Sequence, residues 1–190
     1  MRLSRTAGAA AALTAAAALA VGCTEDGGGD PDDIELSVEI SGTSDDFSIE
    51  YTATNVGDEK VVLYNLLEPG DRYEGDRATV NVNEEDGAVE FSHKIDHACQ
   101  DDPDEVHCPD AAERVDYEVG GTVLGSGDEH VQELTLPARG EPGFVETRGK
   151  DVTFCLGFAV LDDDNPESED GKYGPTSPQT VVCSEPKQLD

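Results

Sequence analysis

Apolar and polar residues alternate along most of the chain. Leu36, Val38 and Ile40 are separated by Ser37 and Glu39. Phe47, Ile49, Tyr51 and Ala53 alternate with Ser48, Glu50 and Thr52, and Val62, Tyr64 and Leu66 continue the pattern. Further runs cover 78–82, 89–95, 115–124 and 131–136. A period of two is the mark of a strand with one buried face. The run Val152, Phe154, Leu156, Phe158 and Val160 differs, because Thr153, Cys155, Gly157, Ala159 and Leu161 between them are nearly as apolar. A strand apolar on both faces is predicted to be central and covered. Turn signals separate the runs: Asn55-Val56-Gly57-Asp58, Pro69-Gly70-Asp71, Glu85-Asp86-Gly87, Gly125-Ser126-Gly127-Asp128 and Gly140-Glu141-Pro142-Gly143. Outside the N-terminal segment no 12-residue stretch has a helical period. Seven to nine short strands predict an all-β, antiparallel sandwich.

The run Phe47–Leu66, a strand, an Asn-x-Gly-Asp turn and a second strand, resembles the early hairpin of immunoglobulin-like domains in exported bacterial proteins. The resemblance implies an immunoglobulin-like sandwich. The Cys…Trp…Cys pattern of antibody domains is excluded, because the chain has no Trp. Two acidic stretches, 97–113 and 162–178, interrupt the rhythm and read as insertions.

The N-terminus is different in kind. Arg2 and Arg5 precede residues 7–22, all apolar or small except Thr14. That stretch is too short to span a bilayer, which takes about 20 apolar residues. It has the length and flanks of a secretory signal peptide. The tetrad Ala20-Val21-Gly22-Cys23 resembles the lipobox of bacterial lipoproteins, with Ala20 where Leu is commoner. The resemblance implies a diacylglyceryl group on Cys23, cleavage just before it, and a body held outside the cell membrane by lipid alone. Two acyl chains suffice for a stable anchor. The expected organisation is a signal peptide over 1–22, a flexible Gly-rich acidic linker over 23–33, and one sandwich domain over 34–190.

Charge narrows the functions. The 190 residues include 12 Lys+Arg and 43 Asp+Glu, a formal net charge of -31. Nucleic-acid binding is excluded, since it needs clustered cations; electrostatic docking on anionic lipid is disfavoured. Cleavage before Cys23 would leave 10 basic and 43 acidic residues, a net charge of -33. Self-repulsion of that size strains a compact state at low salt. It fades near 1 M salt, where the Debye length is about 3 Å. The composition suits a saline medium, divalent cations at the surface, or simply a very soluble exported protein.

Four further cysteines, Cys99, Cys108, Cys155 and Cys183, read as two disulfides in an exported chain. Of the three connectivities, Cys99–Cys108 with Cys155–Cys183 closes the shortest loops and is the expected one. Residues 162–170 place seven acidic or amide side chains in nine positions. Asp162, Asp164, Asn165, Glu167 and Asp170 are the candidate calcium ligands, because calcium takes six to eight oxygens in a flexible loop. Pro166 and the lack of a Gly at the sixth position exclude the helix-flanked calcium motif. His93, His97, Cys99, His107 and Cys108 have zinc- or copper-binding side chains, but a disulfide would remove the thiolates.

No Gly-x-Ser-x-Gly elbow, His-Glu-x-x-His or phosphate-binding glycine loop occurs. The sequence therefore reads as a non-catalytic binding or structural module, with no cofactor other than the calcium just considered. Its partner, protein or small solute, is not encoded in a recognisable motif. The alternatives are a cation- or solute-binding lipoprotein that uses the acidic loops, and a hydrolase working through a carboxylate pair.

Overall fold

The computed structural model describes residues 23–24, 29–44, 46–67, 78–83, 87–95, 119–134, 136, 139, 144–174 and 177–189. In chain order its strands are β1 (Cys23–Thr24), β2 (Ile34–Thr43), β3 (Asp46–Asn55), β4 (Val61–Leu67), β5 (Thr79–Val82), β6 (Val89–His93), β7 (Val119–Leu124), β8 (Glu129–Leu134), β9 (Asp151–Val160), β10 (Lys172–Tyr173), β11 (Thr180–Cys183) and β12 (Lys187–Gln188). The only helical element among the described residues is a 3-10 turn at Pro31–Asp33.

The strands form two sheets. The smaller has the order β2-β3-β8. The larger follows β1-β11-β9-β4-β7-β10, with β12 and β6 also on β9, and β5 on β6. All neighbours are antiparallel except β6 and β9. The expected all-β sandwich is what the chain forms. Ile34, Leu36, Ile40, Ile49, Tyr51, Ala53 and Leu134 from the small sheet pack on Val61, Leu63, Phe91, Leu124, Phe154, Leu156 and Phe158 from the large one. These are the alternate positions of each strand, so the period of two is the core itself.

Strand β9 is central, as its two apolar faces predicted. Its inner residues Val152, Phe154, Leu156 and Phe158 enter the core between the sheets. Its outer residue Ala159 joins a second cluster with Val62, Tyr64, Ile95, Val119 and Tyr173. Gly121 allows this second layer to close, since a Cβ there would run into the Val62 and Tyr173 side chains and lie 3.2 Å from the Leu63 carbonyl oxygen. The described part of 162–178 therefore meets the sheet at Tyr173 and Pro178 instead of only looping away from it. Tyr64 donates to the Pro178 carbonyl at 2.7 Å. Gln179 spans Ile95, accepting from its N–H at 3.0 Å and donating to its carbonyl at 2.7 Å.

One expectation is corrected. The Asn55–Asp58 turn does not make a hairpin: β3 lies in the small sheet and β4 in the large one. Asn55 turns the chain through a corner. Its amide donates to the Glu59 carbonyl at 2.7 Å and, across the sheets, to the Leu124 carbonyl at 3.2 Å. Its side-chain oxygen accepts from Gly57 N–H at 3.0 Å. A corner and a hairpin share their turn residues, so the local sequence does not separate them.

The outer face of the small sheet carries much of the charge. Glu39 faces Glu50, and Glu50 faces Glu133, so three glutamates form one row across three strands. Directly opposed like charges destabilise a sheet, and all three side chains are exposed. Glu50→Gln should raise Tm by about 2–4 °C at low ionic strength. The gain should vanish near 1 M NaCl, where the row is screened. Thermal melts across a salt series measure both; a gain that persists at 1 M would show that repulsion is not its source.

Candidate functional site

Two polar groupings stand out, one buried between the sheets and one at an end of the sandwich. The buried one joins side chains far apart in sequence. Tyr51 donates to Gln132 Oε1 at 2.6 Å and lies 3.2 Å from His93 Nδ1. The Asn65 amide nitrogen lies 3.0 Å from the same Gln132 oxygen and 2.9 Å from His130 Nε2. Thr122 N–H donates to Asn65 Oδ1 at 3.1 Å, which fixes the orientation of the amide. His130 Nε2 also lies 3.1 Å from the Gln132 oxygen, which ties the three side chains into one cluster. Tyr51 gives its only proton to Gln132, so His93 Nδ1 donates to the phenol oxygen. Tyr51, Asn65 and His93 are buried.

The seam contains neither a carboxylate nor an activated nucleophile. Chemically it can hold β3, β4, β6 and β8 in register, as a satisfied buried network does. Of its members, sequence analysis singled out only His93, and for metal binding. Period two is the signal that could have found the others: His130 and Gln132 occupy inward positions of β8, where apolar residues are expected.

Burial holds the Tyr51 hydroxyl well above the usual phenol range, partly offset by Asn65. Burial likewise raises Tyr64, with the neighbouring Tyr173 adding to it. A raised folded-state value means that the neutral phenols favour the fold. That contribution is complete below the unfolded value of about 10 and is lost as pH climbs beyond it. Alkaline unfolding is therefore expected above pH ~10, with phenolate absorbance and loss of the β-sheet dichroism appearing together. The chain has five Tyr and no Trp, so the absorbance is unobscured. Complete phenol ionisation with the sheet signal intact would contradict the burial.

The second grouping lies where β2 begins, β3 ends and β4 begins. Asp33, Asp58, Glu59, Val61 and Val160 line an open crevice of about 390 Å³. The calcium candidates lie close by: Leu161 N–H donates to the Lys60 carbonyl at 2.8 Å, and Lys60 Nζ is 3.9 Å from Glu167 Oε2. Two of their oxygens, Asp162 Oδ1 and Asp170 Oδ1, accept bonds within the loop. Asp162 Oδ1 accepts from the N–H groups of Asp164 and Asn165, each at 2.8 Å. Asn165 donates its amide to the Val160 carbonyl at 2.7 Å. Asp170 Oδ1 accepts from Ser168 Oγ at 2.8 Å, and this bond is the main cause of its lowered pKa. Among the described residues no three His, Cys, Asp or Glu side chains gather as a metal site.

Cys155 and Cys183 are joined, on directly opposed positions of β9 and β11. Cys99 and Cys108 lie outside the described residues, as do His97 and His107. Cys23 pairs with Val181, placing β1 on the free edge of β11. Residues 1–22 are not among those described. No helix among the described residues is long and apolar enough to cross a membrane. No protein-family model, curated protein or solved structure matches the chain.

Proposed function

We propose that the chain is a lipoprotein, anchored through Cys23 on the extracytoplasmic side of the cell membrane, whose body is a non-catalytic binding or structural module. The observation that carries this reading is the Cys155–Cys183 disulfide. Stable disulfides belong to oxidising compartments, and a chain opening with Arg2, Arg5, an apolar stretch and Cys23 would be delivered to one. The non-catalytic part is supported by the seam, where Tyr51 bonds to His93 and Gln132, and His130 to Asn65 and Gln132.

We also read the body as immunoglobulin-like. In that fold the first, second and fifth strands share one sheet, and the third, sixth and seventh share the other. Here β2, β3 and β8 face β4, β9 and β11, and β7 lies beside β4 as an added strand does in variable-type domains. The β5–β6 hairpin departs from that plan. So does the disulfide, which links two strands of one sheet.

Labelled palmitate should enter the wild-type protein in cells, and Cys23→Ala should abolish the incorporation while leaving the precursor uncleaved. Label retained by the variant, or absent from the wild type, would remove the lipoprotein reading.

A further inference from the structure

The segment just after Cys23 reads in sequence as a flexible spacer, yet its described part is fastened to the body. Thr180 Oγ1 donates to the Gly29 carbonyl at 2.9 Å. Gly29 has φ +123°, and a Cβ on it would lie 2.8 Å from Val160 Cγ2, so the backbone rests directly on the end of β9. Asp30 and Asp33 cap the 3-10 turn reciprocally. The Asp33 carbonyl accepts from Val56 N–H at 2.9 Å and Gly57 N–H at 3.3 Å. Residues 29–33 thus belong to the sandwich, and β1 adds a second attachment on β11.

We propose that the end of the sandwich formed by residues 30–33, 55–60, 125–128 and 161–167 faces the bilayer that holds the anchor, with the opposite end directed outward. The inference rests on the lipoprotein reading of Cys23. Only 24–28 separate the acylated residue from the fastened Gly29, and six Cα-to-Cα steps span at most about 20 Å. Pairing of β1 seats Cys23 beside Val181, level with Gly157, which is three residues from the near end of β9 and six from its far end. The tether therefore sets which end meets the lipid. The surface it presents is acid-rich, with Asp33, Asp58 and Glu59 around the crevice. Repulsion from anionic headgroups acts over a Debye length of about 8 Å at physiological salt and about 3 Å at 1 M, so the gap should close as salt rises.

The chain has no Trp, so a single introduced indole reports its own position. Val56 is 53% exposed at the near end. Thr43 is exposed at the far end of β2, a strand about 30 Å long. Lipidated Val56→Trp and Thr43→Trp proteins, purified from membranes, would be reconstituted in phosphatidylcholine vesicles containing dansyl-labelled headgroups in 1 M NaCl. Energy transfer from position 56 should exceed that from position 43 at least threefold. Equal or reversed transfer in proteins that carry palmitate would overturn the orientation and leave the anchor standing. Absence of palmitate would overturn both.

Discussion

Phe154→Ala is expected to destabilise the body by about 3–5 kcal/mol. For a chain of this size that lowers Tm by roughly 6–20 °C. Phe154 is 0% exposed on the central strand. Its ring stacks on Tyr51 at 4.7 Å and meets the edge of His93 at 5.7 Å. Truncation removes buried area and leaves a void that the two facing sheets cannot fill without shifting. It also frees the Tyr51 ring, whose hydroxyl holds the inter-sheet seam together. The loss is large against the 5–15 kcal/mol that usually separates folded from unfolded chains. Val131→Ala is the contrasting case: Val131 is 52% exposed on the outer face of β8 and should change stability by less than about 0.5 kcal/mol. Urea titration of the two variants measures both. Similar midpoints would mean that β9 is not the centre of the core.

Much of this architecture is legible in the sequence because the core is built from period-two strands. Ile34 to Ile40, Phe47 to Ala53 and Val152 to Val160 each declare a buried face, and each supplies it. The second apolar face of β9 declares its central place. What is not legible is which strands meet. Asn55 and Gly57 announce a turn, but the bond from Asn55 to the Leu124 carbonyl, 69 residues away, makes that turn a corner between sheets. The short strands β10, β11 and β12 escape notice for another reason. Two to four residues are too few to show a period, and they pair only because β7 and β9 already present their edges.

The polar groupings divide along the same line. The disulfide can be anticipated, because the four cysteines beyond Cys23 have only three ways to pair and Cys155–Cys183 closes a short loop. The seam cannot, since Tyr51, Asn65, His93 and Gln132 belong to four different strands and none has a local partner in the sequence. The loop 162–170 poses the opposite problem. Its composition suggests a ligand cage, but Asp and Asn side chains bond readily to backbone N–H groups two or three residues on. Asp162 does so with Asp164 and Asn165. Counting oxygens says how many donors are present, not whether they point outward together.

Replacing both members of the bridge, as Cys155→Ala/Cys183→Ala, should cost about 3.6 kcal/mol on the chain-entropy account. The corresponding fall in Tm is roughly 7–14 °C. The closed loop has a sequence separation of 28 and contains the whole 162–178 stretch. Without the bridge the unfolded chain regains that freedom, while the four backbone pairs between β9 and β11 remain to hold the strands. The variant should therefore fold with the same dichroism but melt earlier. Cys155 is 1% exposed and Cys183 half-buried, so dithiothreitol should reduce the wild-type bridge much faster once the body opens. Reduction followed by mass spectrometry across a urea series should accelerate in step with unfolding. Rapid reduction in the absence of urea would mean that β11 detaches locally. That outcome would also bear on the anchor, because β11 is the strand on which β1 and the Gly29 contact are fastened. A loosened β11 would release the end of the sandwich from Cys23, and the body would hang on a longer tether. The double-alanine variant with Val56→Trp makes that measurable, as a drop in energy transfer from position 56 while palmitate incorporation stays intact.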